Sequence, residues 1–252
     1  MAAVAEQTLR LNVILPPTVS GGAASGSPAH AFVFNNASQS PIYEAYREMR
    51  TERLLDFGWR TEADLIDGVD HDKFDEVGTK TIHIVVTDDQ HKPVGCSRIT
   101  VIGPDEIRTA ISPSMWGPLM DTLPIPAEVL QASEAGTLVD MNRLLNMPGA
   151  GFDEAAVVIG AAVAATRSRY GSLFTAGAAL IRLVKWLGVP NLVLHDGKLG
   201  GRRAQLIYIP PHAWGEVSSP RAKESLALGA ALFEQSEEAS VRATAEVITT
   251  QA

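Results

Sequence analysis

Residues 137–187 read TLVDMNRLLNMPGAGFDEAAVVIGAAVAATRSRYGSLFTAGAALIRLVKWL, and their order of patterns decides the fold class. Thr137–Leu145 is short, apolar at most positions and bounded by polar and turn residues, which predicts a strand. Phe152–Tyr170 is long and rich in Ala and Val, with Asp153 and Glu154 at its start, where a helix is positive. Gly171–Ala176 is again strand-like. Ala178–Leu187 has helical spacing and is stopped by Gly188 and Pro190. Strand, helix, strand, helix in succession predicts a mixed sheet covered by helices.

Working outward, Asn191–His195 and Arg203–Ile209 read as two further strands. Upstream, Thr81–Thr87 and Pro93–Val101 flank the turn Asp88–Lys92 and form a hairpin. Ile42–Leu55 carries Tyr43, Tyr46, Arg47 and Arg50 at i, i+3, i+4 and i+7, a helical face. Residues 60–76 read as an acidic loop and Pro118–Leu130 as a stretch broken by prolines. The Pro-, Gly- and Ser-rich run Pro16–Pro28 reads as a linker, so residues 1–40 are expected to be a flexible appendage that Phe32 and Phe34 could pin to the body. The body is expected over 41–215, and a helix with a frayed tail over 216–252.

The chain has 252 residues with 21 Lys and Arg against 29 Asp and Glu, a net charge of −8. An acidic surface disfavours bulk attraction to nucleic acid or anionic membrane. No stretch reaches the roughly 18 apolar residues of a membrane span, and the N-terminus lacks the charged and apolar regions of a secretory signal. The single cysteine, Cys96, excludes an intrachain disulfide and a multi-Cys metal site; in a strand it reads as packing rather than as a nucleophile. The six histidines are too scattered for metal-ligand spacing. Nucleophile-elbow, P-loop and dinucleotide-binding motifs are absent.

What remains is polar residues where core should be. Arg98 interrupts the hairpin, and Asp140, Asn142 and Arg143 interrupt the strand at 137–145. Alternation puts Asp140 and Asn142 on one face and Arg143 on the other, unless a bulge intervenes. Charges in strands need partners, and the acidic loop offers Asp67, Asp70, Asp72, Asp75 and Glu76. Either this is a solvated loop beside edge-strand charges, or it is an acid–base network lining a cleft for a cationic, polar substrate.

Four segments, in this order, resemble the acyl-homoserine lactone synthases of the acyltransferase superfamily. Arg50–Trp59 is similar to the family's Arg-x-x-x-Phe…Gly-Trp, with Leu54 at the Phe and one residue fewer before Trp59. Asp72-Lys-Phe74-Asp75 is similar to Asp-x-Phe-Asp, and Val94–Arg98 to Val-Gly-x-x-Arg. Asp140–Leu144 stands where the family has Glu-x-Ser-Arg-Phe, with Asp for Glu, Asn142 for Ser and Leu144 for Phe. Tyr170–Thr175 and Gly188 extend the likeness, which spans about residues 42–212.

The resemblance implies a three-layer α/β/α sandwich with a mixed, V-shaped (GNAT-like) sheet. In the V-shaped cleft S-adenosylmethionine meets an acyl thioester. The amine attacks the thioester carbonyl, and the methionine carboxylate then displaces methylthioadenosine and closes the lactone, giving a quorum-sensing signal. Asp140, Arg143 and Asp72 are the implied catalytic residues, with Asp140 first and Asp72 next as proton acceptor. Arg50, Trp59, Phe74, Asp75, Arg98, Asn142 and Thr175 are the implied substrate contacts. Trp59 and Phe74 would close over the sulfonium, and Thr175 would touch a substituent on the acyl chain. Each has a plain alternative: Trp59 as a core aromatic, Asp75–Arg98 as a structural pair, Thr175 as an ordinary strand residue. Met115, Trp116, Leu119, Met120, Leu144, Met147 and Leu173 would line an acyl pocket or simply be core.

The donor would ride on an acyl carrier protein, docking on Arg167, Arg169, Arg182, Lys185, Arg202 and Arg203, or on coenzyme A, held by a turn at Met147–Phe152. No cofactor or metal is implied, and the expected location is the cytoplasm. Rival readings are an N-acyltransferase acting on another amine without ring closure, and a non-catalytic ligand-binding relative.

Overall fold

A computed structural model describes residues 27–146, 150–199 and 201–236. Among the described residues seven strands form one sheet: β1 (His30–Asn35), β2 (Thr81–Thr87), β3 (Pro93–Val101), β4 (Leu138–Asn146), β5 (Gly171–Gly177), β6 (Leu192–Leu199) and β7 (Arg202–Ile209), in the order β1-β2-β3-β4-β5-β7-β6. All neighbours are antiparallel except β4 and β5, which run parallel. That pair holds only at Leu138↔Gly171, Val139↔Ser172 and Asp140↔Leu173. Beyond it β4 runs on to Asn146 and β5 to Gly177. The two strands part there, and the sheet is forked into a V.

Helices cover both faces. On one lie α5 (Phe152–Ala165), α6 (Ala178–Leu187) and α7 (Pro220–Gln235). The Ala- and Val-rich α5 is buried almost all round, against Ile84, Ile99 and Met141 on one side of the fork and Phe174 and Ile207 on the other. On the opposite face α1 (Pro41–Asp56) packs Tyr43, Tyr46 and Leu54 on the β1–β4 half. The short helices α2 (Ile111–Ser114), α3 (Leu119–Thr122) and α4 (Ala127–Glu134) lie in the segment covering the β5–β7 half, where Ile107, Trp116, Met120 and Val129 meet Leu138, Leu173 and Leu206. The three-layer mixed α/β sandwich expected from the sequence is observed.

Three sequence expectations change. The appendage expected over residues 1–40 does not extend that far, because His30–Asn35 forms the edge strand β1 on β2, with Ala31 to Phe34 buried. Composition hid it behind the linker-like run, whose residues lie outside the described ones up to 26. The helix at 152 ends at Ala165 rather than Tyr170, and Arg167 and Ser168 turn left-handed at φ 52° and 53°. The proline-broken stretch holds α3 and α4. Residues 237–252, the frayed tail of the sequence reading, lie outside the described residues.

Helices α5 and α7 touch backbone to backbone. A Cβ on Gly229 would collide with the Val157 carbonyl, and one on Gly160 with the Leu226 carbonyl. Gly229→Ala is therefore expected to cost about 1–3 kcal/mol through overpacking, lowering Tm by roughly 2–4 °C for each of these. Gly215→Ala, where nothing lies within 4 Å of the added carbon, should melt like the parent. Thermal unfolding of both variants checks the contrast.

Candidate active site

The site begins with one row across the sheet. Register places Phe34 opposite His83, His83 opposite Arg98 and Arg98 opposite Asn142, so all four share the face covered by α1. Asn142 and Leu145 on β4 oppose Arg98 and Cys96 on β3; three steps on one strand match two on the other. The extra residue is a bulge, and Arg143 within it takes a left-handed φ of 55°. Strict alternation would have sent Arg143 to the far face. The bulge turns it toward the acidic loop instead, joining Arg98.

The loop after α1 supplies the counter-charges. Asp72 caps the turn Lys73–Asp75: its Oδ1 accepts from Phe74 N at 2.9 Å, and Asp75 Oδ2 accepts from Asp72 N at 3.0 Å. With both carboxylates pinned to backbone, the arginines meet them in forked geometry. Arg50 Nη1 and Nη2 donate to Asp75 Oδ1 and Oδ2, each at 2.9 Å. Arg98 Nη1 and Nη2 donate to Asp72 Oδ1 and Oδ2 at 3.0 and 2.8 Å, and Nη1 also lies 2.8 Å from Asp75 Oδ1. Arg98 Nε donates to Asn142 Oδ1 at 2.9 Å. Asp70 closes the network: Arg50 Nε is 3.0 Å from its Oδ2, without hydrogen-bond alignment, and Arg60 Nε donates to its Oδ1 at 2.8 Å. Arg143 Nη2 lies 3.2 Å from Asp72 and 3.5 Å from Asp70, while its buried Nε has no hydrogen-bond partner among the described residues.

The electrostatics follow from this packing. Burial pulls the Asp72 and Asp75 carboxyls upward, but the Arg98 charge beside Asp72, and the Arg50 and Arg98 charges beside Asp75, outweigh it and hold both below the usual carboxylate range. Burial, then the fields of Arg50 and Arg98, keep His83 neutral. His83 bonds the Tyr46 hydroxyl through Nδ1 at 2.8 Å and Asn36 Oδ1 through Nε2 at 2.5 Å. Asn36 in turn donates to the Phe74 and Glu76 carbonyls and to Thr79 Oγ1. The residue just beyond β1 thus ties the acidic loop to the sheet. Burial pushes the Cys96 thiol up to about 12, which suits packing and not nucleophilic work.

Asp140 stands apart. It is 1% exposed, and its carboxylate turns away from the arginines toward α2, where Ser112 N donates to Oδ2 at 2.9 Å and Ser112 Oγ to Oδ1 at 2.6 Å. Burial raises its proton affinity; the Ser112 bonds, and the charge of Arg98, oppose that rise. On the other arm of the fork, Thr175 Oγ1 donates to the Ser112 carbonyl at 2.8 Å and accepts from Trp116 Nε1 at 3.1 Å.

Comparison with solved structures matches this fold over most of the chain. BjaI, a CoA-dependent acyl-homoserine lactone synthase with SAM and isopentyl-CoA, is 9% identical, with 86% of this chain and 99% of that one covered at a TM-score of 0.56. MesI, another CoA-dependent acyl-homoserine lactone synthase, is 18% identical over 79% and 95%, at 0.53. TofI, in a ternary complex with an inhibitor and MTA, is 16% identical over 81% and 99%, at 0.52. The chain has the acyl-homoserine lactone synthase fold. No protein-family model matches the sequence, and no curated protein matches it.

On that fold, the structure gathers Arg50, Asp72, Asp75, Arg98, Asn142 and Arg143 into one cluster, with Phe74 as its buried wall, 5.9 Å from the Arg98 guanidinium. Asp140 and Thr175 sit beside it at the fork. Trp59 is not gathered in: it is 54% exposed, its ring 5.2 Å from Phe57. Of the acyl-pocket candidates, Trp116, Met120 and Leu173 are buried core, Met115 is exposed, and Met147 lies outside the described residues. In the glycine-rich turn proposed for coenzyme A, the Gly151 amide is taken by Glu154 Oε2 at 2.7 Å. Sequence reasoning missed His83, Tyr46, Asn36 and Ser112. His83 carried a usable signal, a polar residue amid the apolar TIHIVVT; Ser112 carried none.

Acid should loosen this site before it unfolds the rest. Native His83 stays neutral while an unfolded histidine takes up a proton below about pH 6.5, so stability falls as pH drops through that value. Asp72 and Asp75 repeat the trend below about pH 4, where unfolded carboxylates bind protons and these do not. Tm measured across a pH series at constant ionic strength should therefore decline in two stages. His83→Gln should shrink the first stage, to which His30, also lowered by burial, still contributes.

Proposed function

We propose that this chain is an acyl-homoserine lactone synthase, acylating the amine of S-adenosylmethionine and closing the lactone. The observation that carries the reading is the cluster of Arg50, Arg98 and Arg143 with Asp70, Asp72 and Asp75, mostly buried beside the fork of the sheet. A folded chain keeps such a cluster at a cost, and an ionic, zwitterionic substrate gives it a use. The fold it shares with BjaI, which holds SAM and isopentyl-CoA, supports the same substrate pair.

In this scheme the substrate ammonium first gives up a proton. Its nitrogen then attacks the thioester carbonyl carbon, the carbon–sulfur bond breaks, and the nitrogen's second proton leaves with the departing sulfur as the thiol. A carboxylate oxygen of the acylated intermediate next attacks the carbon bonded to the sulfonium. That C–S bond breaks, its electron pair stays on sulfur, and neutral methylthioadenosine departs. No metal or further cofactor enters the scheme. Asp140 is the proton acceptor, since a general base needs a raised proton affinity and Asp72 and Asp75 are held ionised by their arginines. Arg143 presents its unpartnered Nε to the substrate carboxylate. The acyl group arrives on coenzyme A or on an acidic carrier protein, for which Arg182 and Lys185, both exposed on α6, offer a landing face in the cytoplasm.

Purified chain incubated with S-adenosylmethionine and a series of acyl-coenzyme A and acyl-carrier thioesters, followed by mass spectrometry, tests the reading. The expected result is methylthioadenosine and acylated lactone in equal amounts, with Asp140→Asn slowed at least about a hundredfold. An acylated amine formed without methylthioadenosine would replace the reading with the simpler N-acyltransferase. No acyl transfer at all would leave a ligand-binding protein.

A further inference from the structure

The fork of the sheet is bridged by one residue. Ser112, the second residue of α2, reaches the β4 arm through its amide and hydroxyl, both on the Asp140 carboxylate, and the β5 arm through its carbonyl, which accepts from Thr175. All three bonds lie where β4 and β5 cease to pair, since Asp140↔Leu173 is their last register. Ser112 is itself 2% exposed, so these bonds are shielded from water and strong for it. The bridge continues on the β5 side, where Trp116 donates to Thr175 and meets the His195 ring edge-on at 4.8 Å.

We propose that Ser112 is a positioning residue of this site, clasping Asp140 on one arm of the fork and Thr175 on the other, so that the Asp140 carboxyl is held in a set orientation at the apex of the cleft. The proposal rests on the reading of Asp140 as proton acceptor. A buried carboxylate with no donor would be neutral and useless as a base; one surrounded by guanidiniums would be too weak a base. Two donors from one serine set a middle course. The other groups acting on Asp140 are few. Arg98 on β3 contributes positive charge from beyond Asn142, and the Asn142 amide, which donates to the Asp140 carbonyl at 3.4 Å, adds a smaller pull in the same direction on the carboxyl. From β5 the facing residues are the uncharged Leu173 and Thr175.

Removing the hydroxyl strips one donor from the ionised form, so the carboxyl should hold its proton to higher pH. Infrared titration of the carboxylic C=O band, identified by its loss in Asp140→Asn, measures this in full-length protein without any substrate. Ser112→Ala is expected to move the midpoint up by about one pH unit, the scale of one charge-assisted bond. Ser112→Thr, which keeps the hydroxyl, should restore the parent midpoint, and Ser112→Cys, a weaker donor in similar space, should fall between. If the alanine variant fails to fold, the cysteine and threonine pair decides. In the acyl-transfer assay the acidic limb of the kcat/KM profile should move with the infrared midpoint.

A midpoint unchanged in Ser112→Ala, or in Ser112→Cys relative to Ser112→Thr, would overturn the clasp, whatever the activity. A shifted midpoint with no methylthioadenosine formed would uphold the clasp and overturn the synthase reading instead.

Discussion

Arg98 is fully buried in the third strand of a seven-stranded sheet, and this half of the molecule depends on keeping it paired. Taking a guanidinium out of water costs several kcal/mol unless carboxylates and further acceptors meet it. Here two aspartates and one asparagine do so. Those aspartates come from a loop, and the loop must be rigid to deliver them. It is made so by Asp72 capping its own turn, by Arg50 from α1 gripping Asp75, and by Asn36 binding three of its acceptor atoms. Edge strand, first helix and acidic loop are thus one unit built around a charge.

The second constraint is geometric. A parallel pair that stops after three registers leaves a wedge between strands, and a wedge in a sheet must be filled or used. On the β1–β4 side the charged cluster fills the approach to it; on the β5–β7 side the apolar segment around Trp116 and Met120 does. Asp140 and Thr175 mark the two lips, with Ser112 between them. A polar, charged wall facing an apolar one suits a reaction that joins an ionic small molecule to an acyl chain.

Much of this was legible in the sequence because periodicity is local. The hairpin Thr81–Val101 and the alternation from Thr137 to Leu187 needed only nearby residues, and so did the recognition that Arg98, Asp140, Asn142 and Arg143 were out of place in strands. What was not legible was set by contacts distant in the chain. β1 is six residues whose strand character comes from pairing with β2, and composition next to a linker-like run concealed it. The bulge that redirects Arg143 was foreseen only as a possibility, because alternation is the rule and the exception is dictated by register with β3. Ser112 bonds a residue 28 positions away, and no spacing in a sequence announces that.

The central claim is that the buried guanidinium–carboxylate pairs are strongly coupled and organise the site. A double-mutant cycle on the forked pair Arg50–Asp75, by denaturant unfolding of Arg50→Met, Asp75→Asn and the double variant, tests it directly. Each single change strands a buried charge or leaves its partners unmatched, and should cost about 3–5 kcal/mol. The double variant is expected to lose no more than the worse single one, a coupling of at least about 3 kcal/mol. Simple additivity of the two losses would contradict it.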